Sequence, residues 1–242
     1  MGRKGGGTGI LGGTFNPVHN GHIRHAIEAG EALGLERVVF MPCPDPPHKR
    51  SAGLLPFELR LELVRAAIGH VPFLEASDLE GSLPHPSYTW RTLSEWRRRF
   101  GEGDLYFMMG AESFAALDSW YRGLELPQLA HIVMLPRDGG ERRLFHDCLR
   151  RFWNAGPEAG EGEPGGRETV PLPGGGACTY LPAPRLDISS TRIRELWRSK
   201  RMLAGLVPPE EISLLLRHRQ EVDACWEEEA ASTEPRRCSA AD

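Results

Sequence analysis

The residues with the clearest chemical potential form the string Gly12-Gly13-Thr14-Phe15-Asn16-Pro17-Val18-His19-Asn20-Gly21-His22. Two adjacent glycines allow a ligand to approach the backbone closely. His19 and His22 are three residues apart, so at the start of a helix both rings can lean towards one ligand and donate hydrogen bonds to it. Free backbone N–H groups at that helix start favour negative charge. The string therefore predicts a phosphate-binding site.

A second anion site is predicted in the string Asp187-Ile188-Ser189-Ser190-Thr191-Arg192-Ile193-Arg194. Ser189 is suited to the position just before a helix, where its hydroxyl accepts a hydrogen bond from the backbone. The hydroxyls of Ser190 and Thr191, together with the first N–H groups of the helix, can bind an anion. The two arginines add cationic hydrogen-bond donors. A capping box is not indicated, because the third residue after Ser189 is an arginine instead of Glu or Gln.

Three further stretches carry candidate ligand-binding residues, each with a structural alternative. Prolines in Pro44-Asp45-Pro46-Pro47-His48-Lys49 stiffen a loop that presents His48 and Lys49, although an ordinary surface loop has the same composition. Ser87, in Pro86-Ser87-Tyr88-Thr89, is expected to cap a helix. Trp120 is either a core aromatic or a stacking partner for a ligand.

The candidate residues must be positioned by the strands and helices of the fold. In the sequence, short apolar runs alternate with segments of helical period. The alternation predicts an α/β fold: a Rossmann-like, doubly wound parallel sheet with helices on both faces and ligands beyond the carboxyl ends of its strands. Two more helices are expected to start near Ser189 and Pro209. The apolar runs cover residues 8–11, 37–41, 73–76, 104–109, 131–135 and 179–181, and the helical segments cover 23–33, 57–68 and 93–100.

The composition predicts a single domain over residues 1–225. Within it, 12 of the 23 residues in the range 154–176 are Gly or Pro, which indicates an insertion before the last strand. Residues 226–242, rich in Glu and small polar residues, are predicted to form a disordered tail.

Composition also excludes several classes of function. The net charge of −4 comes without a long basic block, so nucleic acid is not expected as a partner. No run of eighteen apolar residues is present, so no membrane span is expected. The 5 cysteines are scattered and include no Cys-x-x-Cys pair, so we expect reduced thiols and a cytoplasmic location.

The first string resembles the His-x-Gly-His signature of the adenylyltransferase superfamily, and more closely its bacterial nicotinate-nucleotide adenylyltransferase branch. That branch typically reads Gly-Gly-Thr-Phe-Asp-Pro-x-His-x-Gly-His, whereas this chain has Asn16 where Asp is usual. The resemblance spans residues 8–220 apart from 154–176, and it includes the Pro-Pro-His-Lys, Ser-Tyr-Thr and Ile-Ser-Ser-Thr-x-Ile-Arg strings. It also includes Gly110-Ala111-Glu112-Ser113, in which Glu112 replaces an Asp that binds ribose in the family, and Leu135-Pro136-Arg137.

The resemblance implies transfer of AMP from ATP to nicotinate mononucleotide, giving deamido-NAD and pyrophosphate. It implies that Mg²⁺ is bound together with ATP, without a protein metal ligand. Trp120 would stack on the nicotinate ring. The implied catalytic residues are His19, His22, Lys49 and Arg194. The implied ATP-binding residues are Gly12, Gly13, Thr14, Phe15, His19, His22, Ile188, Ser189, Ser190, Thr191 and Arg194. The implied acceptor-binding residues are Asn16, His48, Lys49, Tyr88, Thr89, Gly110, Glu112, Trp120 and Arg137.

Alternatives stay open at this point. One is another adenylyltransferase of the superfamily that uses nicotinamide mononucleotide or pantetheine phosphate as the acceptor. Another is a non-catalytic nucleotide-binding sensor, which only Asn16 and Glu112 support. A fragment of a class I aminoacyl-tRNA synthetase is disfavoured because the chain lacks a basic charge excess. Residue identities fix neither the choice between nicotinate and nicotinamide nor the assembly into homo-oligomers.

Overall fold

A single seven-stranded sheet forms the centre of the protein in a computed structural model, which describes residues 6–46, 53–101, 103–136, 141–156 and 166–233. The strand order is β3-β2-β1-β4-β5-β7-β6, and every neighbouring pair is parallel except β7 with β6. The parallel α/β fold predicted from the sequence is therefore confirmed. The strands are β1 (Thr8–Gly13), β2 (Arg37–Pro42), β3 (Leu74–Ala76), β4 (Leu105–Gly110), β5 (His131–Leu135), β6 (Glu168–Pro171) and β7 (Ala177–Tyr180).

Helices cover both faces of this sheet. Ile23 of α1 and Val64 of α2 are buried in one apolar cluster, and Leu93 of α3 and Phe145 of α5 are buried in the cluster on the other face. A third cluster joins α2 to the last three helices around the fully buried Trp226. The helices are α1 (Asn20–Leu33), α2 (Phe57–Ile68), α3 (Thr89–Phe100), α4 (Ala111–Ala115), α5 (Glu141–Trp153), α6 (Ser190–Arg198), α7 (Pro209–Arg217) and α8 (Arg219–Thr233).

The order of the strands reverses at β1, which pairs with β2 on one side and with β4 on the other. Connections leave these strands towards opposite faces, so a crevice opens at their carboxyl ends. Leu11 pairs with Met108, and two residues further on each strand ends in a glycine, Gly13 in β1 and Gly110 in β4. The predicted phosphate string therefore starts at the edge where the fold places ligands.

The structure corrects the sequence prediction at several elements. Part of the predicted insertion at 154–176 is strand β6, which pairs with β7 and buries Val170; residues 157–165 lie outside the described chain. The tail predicted from residue 226 begins too early, because α8 continues to Thr233 and Trp226 is buried against Trp197. Helices α4 and α5 were not predicted. Among the described helices, none is long and apolar enough to cross a membrane.

Glu211 is a buried acid in the first turn of α7. Its side chain is fully buried, and within the described chain neither carboxylate oxygen has a hydrogen-bond partner. Burial disfavours the charged form and raises the pKa of this carboxyl well above 4.5. The folded protein therefore holds a proton that the unfolded chain releases as pH rises above that ordinary value, so stability contributed by the neutral acid falls as pH increases.

We predict that Glu211→Met increases the free energy of unfolding at pH 8 by roughly 1–3 kcal/mol, because it removes an unpaired buried polar group. The gain should be smaller at pH 5, because keeping Glu211 protonated in the folded protein costs less free energy as pH approaches the ordinary pKa of 4.5. Denaturant unfolding at both pH values measures this. Glu210→Met, at the exposed neighbour in the same turn, is the control. An equal gain at both pH values would contradict the assignment.

Candidate active site

The first turn of α1 places both histidines of the first string side by side. His19 is the N-cap in extended conformation, and its Nδ1 accepts a hydrogen bond from the His22 N–H at 3.3 Å. An imidazole that accepts at Nδ1 carries its proton on Nε2, which makes Nε2 the donor of His19. The two rings stack with centroids 3.6 Å apart. Two adjacent imidazoles at a helix start suit a single phosphate group.

Phe15 shapes the turn that leads to these histidines. Its backbone has a positive φ of 47°, and its ring is buried and meets the His22 ring edge-on at 5.1 Å. A methyl group on Gly13 would come within 2.9 Å of the Phe15 ring, so glycine is required there for the ring to fold back over the strand end. Phe15 therefore supports the site with its side chain, and only its backbone is available for a ligand.

The loop after β1 is tied to the carboxyl-terminal third of the chain. The Ser190 hydroxyl donates to the Pro17 carbonyl at 2.8 Å, and Arg194 Nη1 donates to the Asn16 carbonyl at 2.8 Å. Ile188 also lies beside Gly21, since a methyl group placed on that glycine would be 3.8 Å from Ile188 Cβ. The two predicted anion strings therefore meet at one place, although they are far apart in sequence.

The start of α6 matches the local prediction. Ser189 is the N-cap, and its hydroxyl accepts from the Arg192 N–H at 3.2 Å. The two arginines of the string diverge: Arg192 is exposed and pairs with Glu195 at 3.0 Å, whereas Arg194 is buried and also donates to Thr191 Oγ1 at 3.3 Å. Arg194 is therefore the arginine that faces the loop after β1.

The elements predicted to bind the acceptor adjoin this loop. The Cys43 N–H donates to the Gly13 carbonyl at 2.9 Å, and the Ser87 N–H donates to the Asp45 carbonyl at 3.2 Å. Tyr88, just before α3, stacks on Tyr121 with ring centroids 4.8 Å apart. Three segments therefore lie next to one another, beginning at the loop after β1. They are the segment after β2, the segment before α3 and the segment after α4.

Ser87 does not cap α3 as predicted. The N-cap is Tyr88, without a side-chain cap hydrogen bond, and the Ser87 hydroxyl instead lies 3.4 Å from the Asp45 N–H as its acceptor. The segment after β2 lies close enough for its backbone N–H to donate a hydrogen bond to this hydroxyl. The pairing joins the two acceptor segments, which is a tertiary contact that local sequence does not reveal.

The side chain of Asn16 has a structural role. It is buried, its Nδ2 donates to the Gly53 carbonyl at 2.7 Å, and its Oδ1 accepts from the Leu55 N–H at 3.0 Å. Both ends of the amide are therefore occupied by the backbone of residues 53–55. The side chain therefore links two loops, and its contact with the acceptor stays a prediction.

Of the remaining predicted acceptor residues, those that the structure describes lie at the end of β4, in and after α4, and at the start of α3. Gly110 ends that strand, and a methyl group on it would meet nothing within 4 Å, which leaves open space beside the crevice. Glu112 is exposed in the first turn of α4. Trp120 is half-buried and packs against the core, and Thr89 is the first residue of α3. His48, Lys49 and Arg137 lie outside the described residues.

Sequence reasoning missed Arg60, a fully buried residue of α2. Its Nη1 donates to the carbonyls of Thr14 and Cys43, at 2.7 Å each. Burial lowers the pKa of its guanidinium to about 10, so it stays charged at neutral pH. A charged residue on the apolar side of α2, three positions after Phe57 and four before Val64, was the available signal.

Comparison with known proteins places this arrangement in a family. A family model described as Cytidylyltransferase-like matches residues 10–196. A protein of Pelobacter propionicus named as a nicotinate-nucleotide adenylyltransferase is 38% identical over 206 residues, covering 84% of this chain and 92% of that relative. A protein of the same name from Shewanella baltica is 35% identical over 201 residues, covering 83% and 92%.

A solved structure adds evidence on the fold. Nicotinic acid mononucleotide adenylyltransferase of Plasmodium falciparum, complexed with NaAD, is similar with a TM-score of 0.61 at 15% identity, over 88% of this chain and 96% of that chain. At this identity the likeness concerns the fold alone. From the matched family model and the extent of identity to the curated relatives, the chain belongs to the Cytidylyltransferase-like family and, within it, to the nicotinate-nucleotide adenylyltransferases.

Proposed function

We propose that the protein transfers AMP from ATP to nicotinate mononucleotide, releasing pyrophosphate and forming deamido-NAD. The main support is that the starts of α1 and α6 lie together at the carboxyl end of β1, where the strand order reverses. Hydrogen bonds from Ser190 to Pro17 and from Arg194 to Asn16 hold them there. Two anion-binding helix starts at one crevice suit a triphosphate, which spreads its charge over several groups. The names of the curated relatives supply the acceptor.

The proposed chemistry is one in-line displacement. A phosphate oxygen of the acceptor bonds to the α-phosphorus of ATP, the bond from that phosphorus to the bridging oxygen breaks, and pyrophosphate leaves with the electron pair. Such a reaction mainly requires alignment and stabilisation of developing negative charge. His19 and His22 would donate to the α-phosphate, while Arg194 and the start of α6 would hold the β and γ phosphates.

We further propose that Mg²⁺ enters with ATP. The described residues include no group of three or more His, Cys, Asp or Glu that could hold a metal ion. Mg²⁺ commonly takes most of its ligands from phosphate oxygens and water, and ATP supplies such oxygens. When bound, the cation would neutralise charge on the leaving pyrophosphate, and no single protein ligand is assigned to it.

The acceptor is tested by pyrophosphate release from ATP and Mg²⁺ with nicotinate mononucleotide, nicotinamide mononucleotide or pantetheine phosphate. We expect kcat/KM to be highest for nicotinate mononucleotide, by more than about tenfold over nicotinamide mononucleotide, because donors arranged for a carboxylate are poorly matched by an amide. Binding of ATP without pyrophosphate release would indicate a sensor. A higher value for another acceptor would contradict the assignment.

His22→Ala is predicted to lower kcat by about 100-fold or more, because it removes a donor to the charge that develops in the transition state. Steady-state kinetics at saturating substrates measures the effect. His70→Ala, at an exposed histidine just beyond α2, serves as the control and should leave kcat unchanged. Wild-type turnover in the His22 variant would remove His22 from the mechanism.

Trp120→Ala is predicted to raise the KM for the acceptor by about tenfold and to change the KM for ATP much less, because stacking on an aromatic ring contributes a few kcal/mol at most. Trp153→Ala is the matched control, since Trp153 is also half-buried and packs against the same core cluster. If the Trp120 variant changed both KM values equally, Trp120 would have a packing role only.

A further inference from the structure

A network of buried polar side chains lies beneath the loops of the site. Arg60 is its centre: besides Thr14 and Cys43, it donates to the Leu55 carbonyl at 2.8 Å and to the Pro44 carbonyl at 3.2 Å. Its planar guanidinium thereby joins the loop after β1, the segment after β2 and the segment before α2 to one another. A lysine cannot reproduce this pattern, because its donors radiate from a single atom.

Glu80 extends this network towards the acceptor elements. It is buried in the short helical turn Leu79–Ser82, and its Oε1 accepts a hydrogen bond from Thr92 of α3 at 2.8 Å. The Cys43 thiol and the Ser87 hydroxyl lie near the same carboxyl group, whose buried Oε2 has no hydrogen-bond partner among the described residues. Glu80 therefore joins the turn Leu79–Ser82 to α3, and the segment just before α3 pairs with the segment after β2 through Asp45 and Ser87.

Both residues act on elements that adjoin the segment after β2. Arg60 fixes the carbonyls of Cys43 and Pro44 relative to that of Thr14. Glu80 fixes α3 through Thr92, and the segment just before α3 pairs with Asp45 through Ser87. The distance between the predicted ATP loop and the predicted acceptor segment is therefore set through a series of hydrogen bonds that starts at Arg60 and continues through Asp45 and Ser87.

We infer that Arg60 and Glu80 are positioning residues that set the spacing between ATP and the acceptor, a conclusion that rests on the proposed adenylyl transfer. Neither residue belongs to the strings that touch substrate in the proposed function. Their effect is on alignment: an in-line displacement loses rate steeply when the attacking oxygen and the phosphorus are displaced by about 1 Å.

The charges around Glu80 give the inference a pH-dependent signature. Burial raises the pKa of Glu80 to about 7, and the hydrogen bond from Thr92 is the largest effect in the opposite direction. Cys43 and Arg60 are the titratable groups that face this carboxyl, and burial takes the pKa of the Cys43 thiol to about 12 and that of Arg60 to about 10. Between pH 6 and pH 8.5, Glu80 is therefore the member of this network that changes charge.

Protonation weakens the connection that Glu80 makes. The hydrogen bond from Thr92 to Glu80 Oε1 is charge-assisted when Glu80 is ionised, and such a bond is roughly twice as strong as a neutral one. The connection between Glu80 and α3 is therefore strongest above pH 7 and weakens as pH falls below it. A glutamine at this position resembles the protonated acid at every pH, because it offers one acceptor oxygen and one donor group.

The first test is Arg60→Lys, which keeps the charge and removes the fork of donors. We expect kcat to fall by about 100-fold with ATP and nicotinate mononucleotide at saturation. Arg97→Lys is the matched control, because Arg97 also donates to two backbone carbonyls, those of Leu129 and Gly103, at the opposite edge of the sheet. It should reduce thermal stability without changing kcat. Circular dichroism establishes whether each variant is folded.

The second test is Glu80→Gln, with KM for nicotinate mononucleotide measured from pH 6 to pH 8.5. At pH 8 the variant should show a KM about tenfold higher than the wild type, the effect of one hydrogen bond to a charged group. The wild-type KM should rise towards the variant's value as pH falls through 7. Ionisation of the substrate affects both proteins equally, so the ratio of their KM values isolates Glu80. Glu75→Gln, at an exposed acid of β3, is the control and should follow the wild type.

The outcomes separate this inference from the proposed function. If the wild type releases no pyrophosphate with nicotinate mononucleotide, the proposed function fails and the inference fails with it. If the wild type is active but folded Arg60→Lys retains its kcat, or the KM ratio for Glu80→Gln does not change with pH, only the inference is overturned. Should Arg60→Lys fail to fold, the Glu80→Gln profile alone decides.

Discussion

Three backbone carbonyl groups of the loop after β1 are held by side chains from other parts of the chain, and the geometry of the site depends on these hydrogen bonds. Arg60 holds Thr14, Arg194 holds Asn16, and Ser190 holds Pro17. A carbonyl oxygen facing a phosphate would repel it. Because donors behind the loop bind these oxygens, the opposite side of the loop can present N–H groups and histidines to an anion.

The same contacts make the site depend on the whole fold. Arg60 comes from α2, and Arg194 and Ser190 come from α6, so the loop takes its shape only when α2 and the carboxyl-terminal third of the chain have packed against the sheet. Arg60 donates to backbone carbonyls in all its direct hydrogen bonds, and none of the described carboxylates forms an ion pair with it. Its charge therefore contributes a positive field beneath a loop proposed to bind ATP.

Local sequence rules predicted the parts of the structure that local geometry controls. The spacing of His19 and His22 placed two imidazoles at a helix start, and Ser189 capped α6 as expected. The parts that failed depend on tertiary approach: Ser87 bonds to a segment distant in sequence instead of capping α3, and Arg60 has partners in three separate segments. Strand β6 was missed because its few residues lie in a stretch dominated by glycine and proline, and pairing with β7 stabilises it.

Two departures from the family pattern raised the possibility of a protein that binds nucleotide without turnover, and the structure gives each a physical explanation. Asn16 donates to Gly53 and accepts from Leu55 at the same time, which an aspartate could not do because an ionised carboxylate only accepts. Asn16 therefore forms two hydrogen bonds to the backbone of residues 53–55 that an aspartate could not form together. Glu112 keeps a carboxylate in the first turn of α4, where the helix dipole favours negative charge and where one added methylene extends the reach of the group. Since neither change removes a residue proposed to donate to phosphate or disturbs the contacts between the loop after β1 and α6, both are compatible with catalysis, and neither favours a sensor.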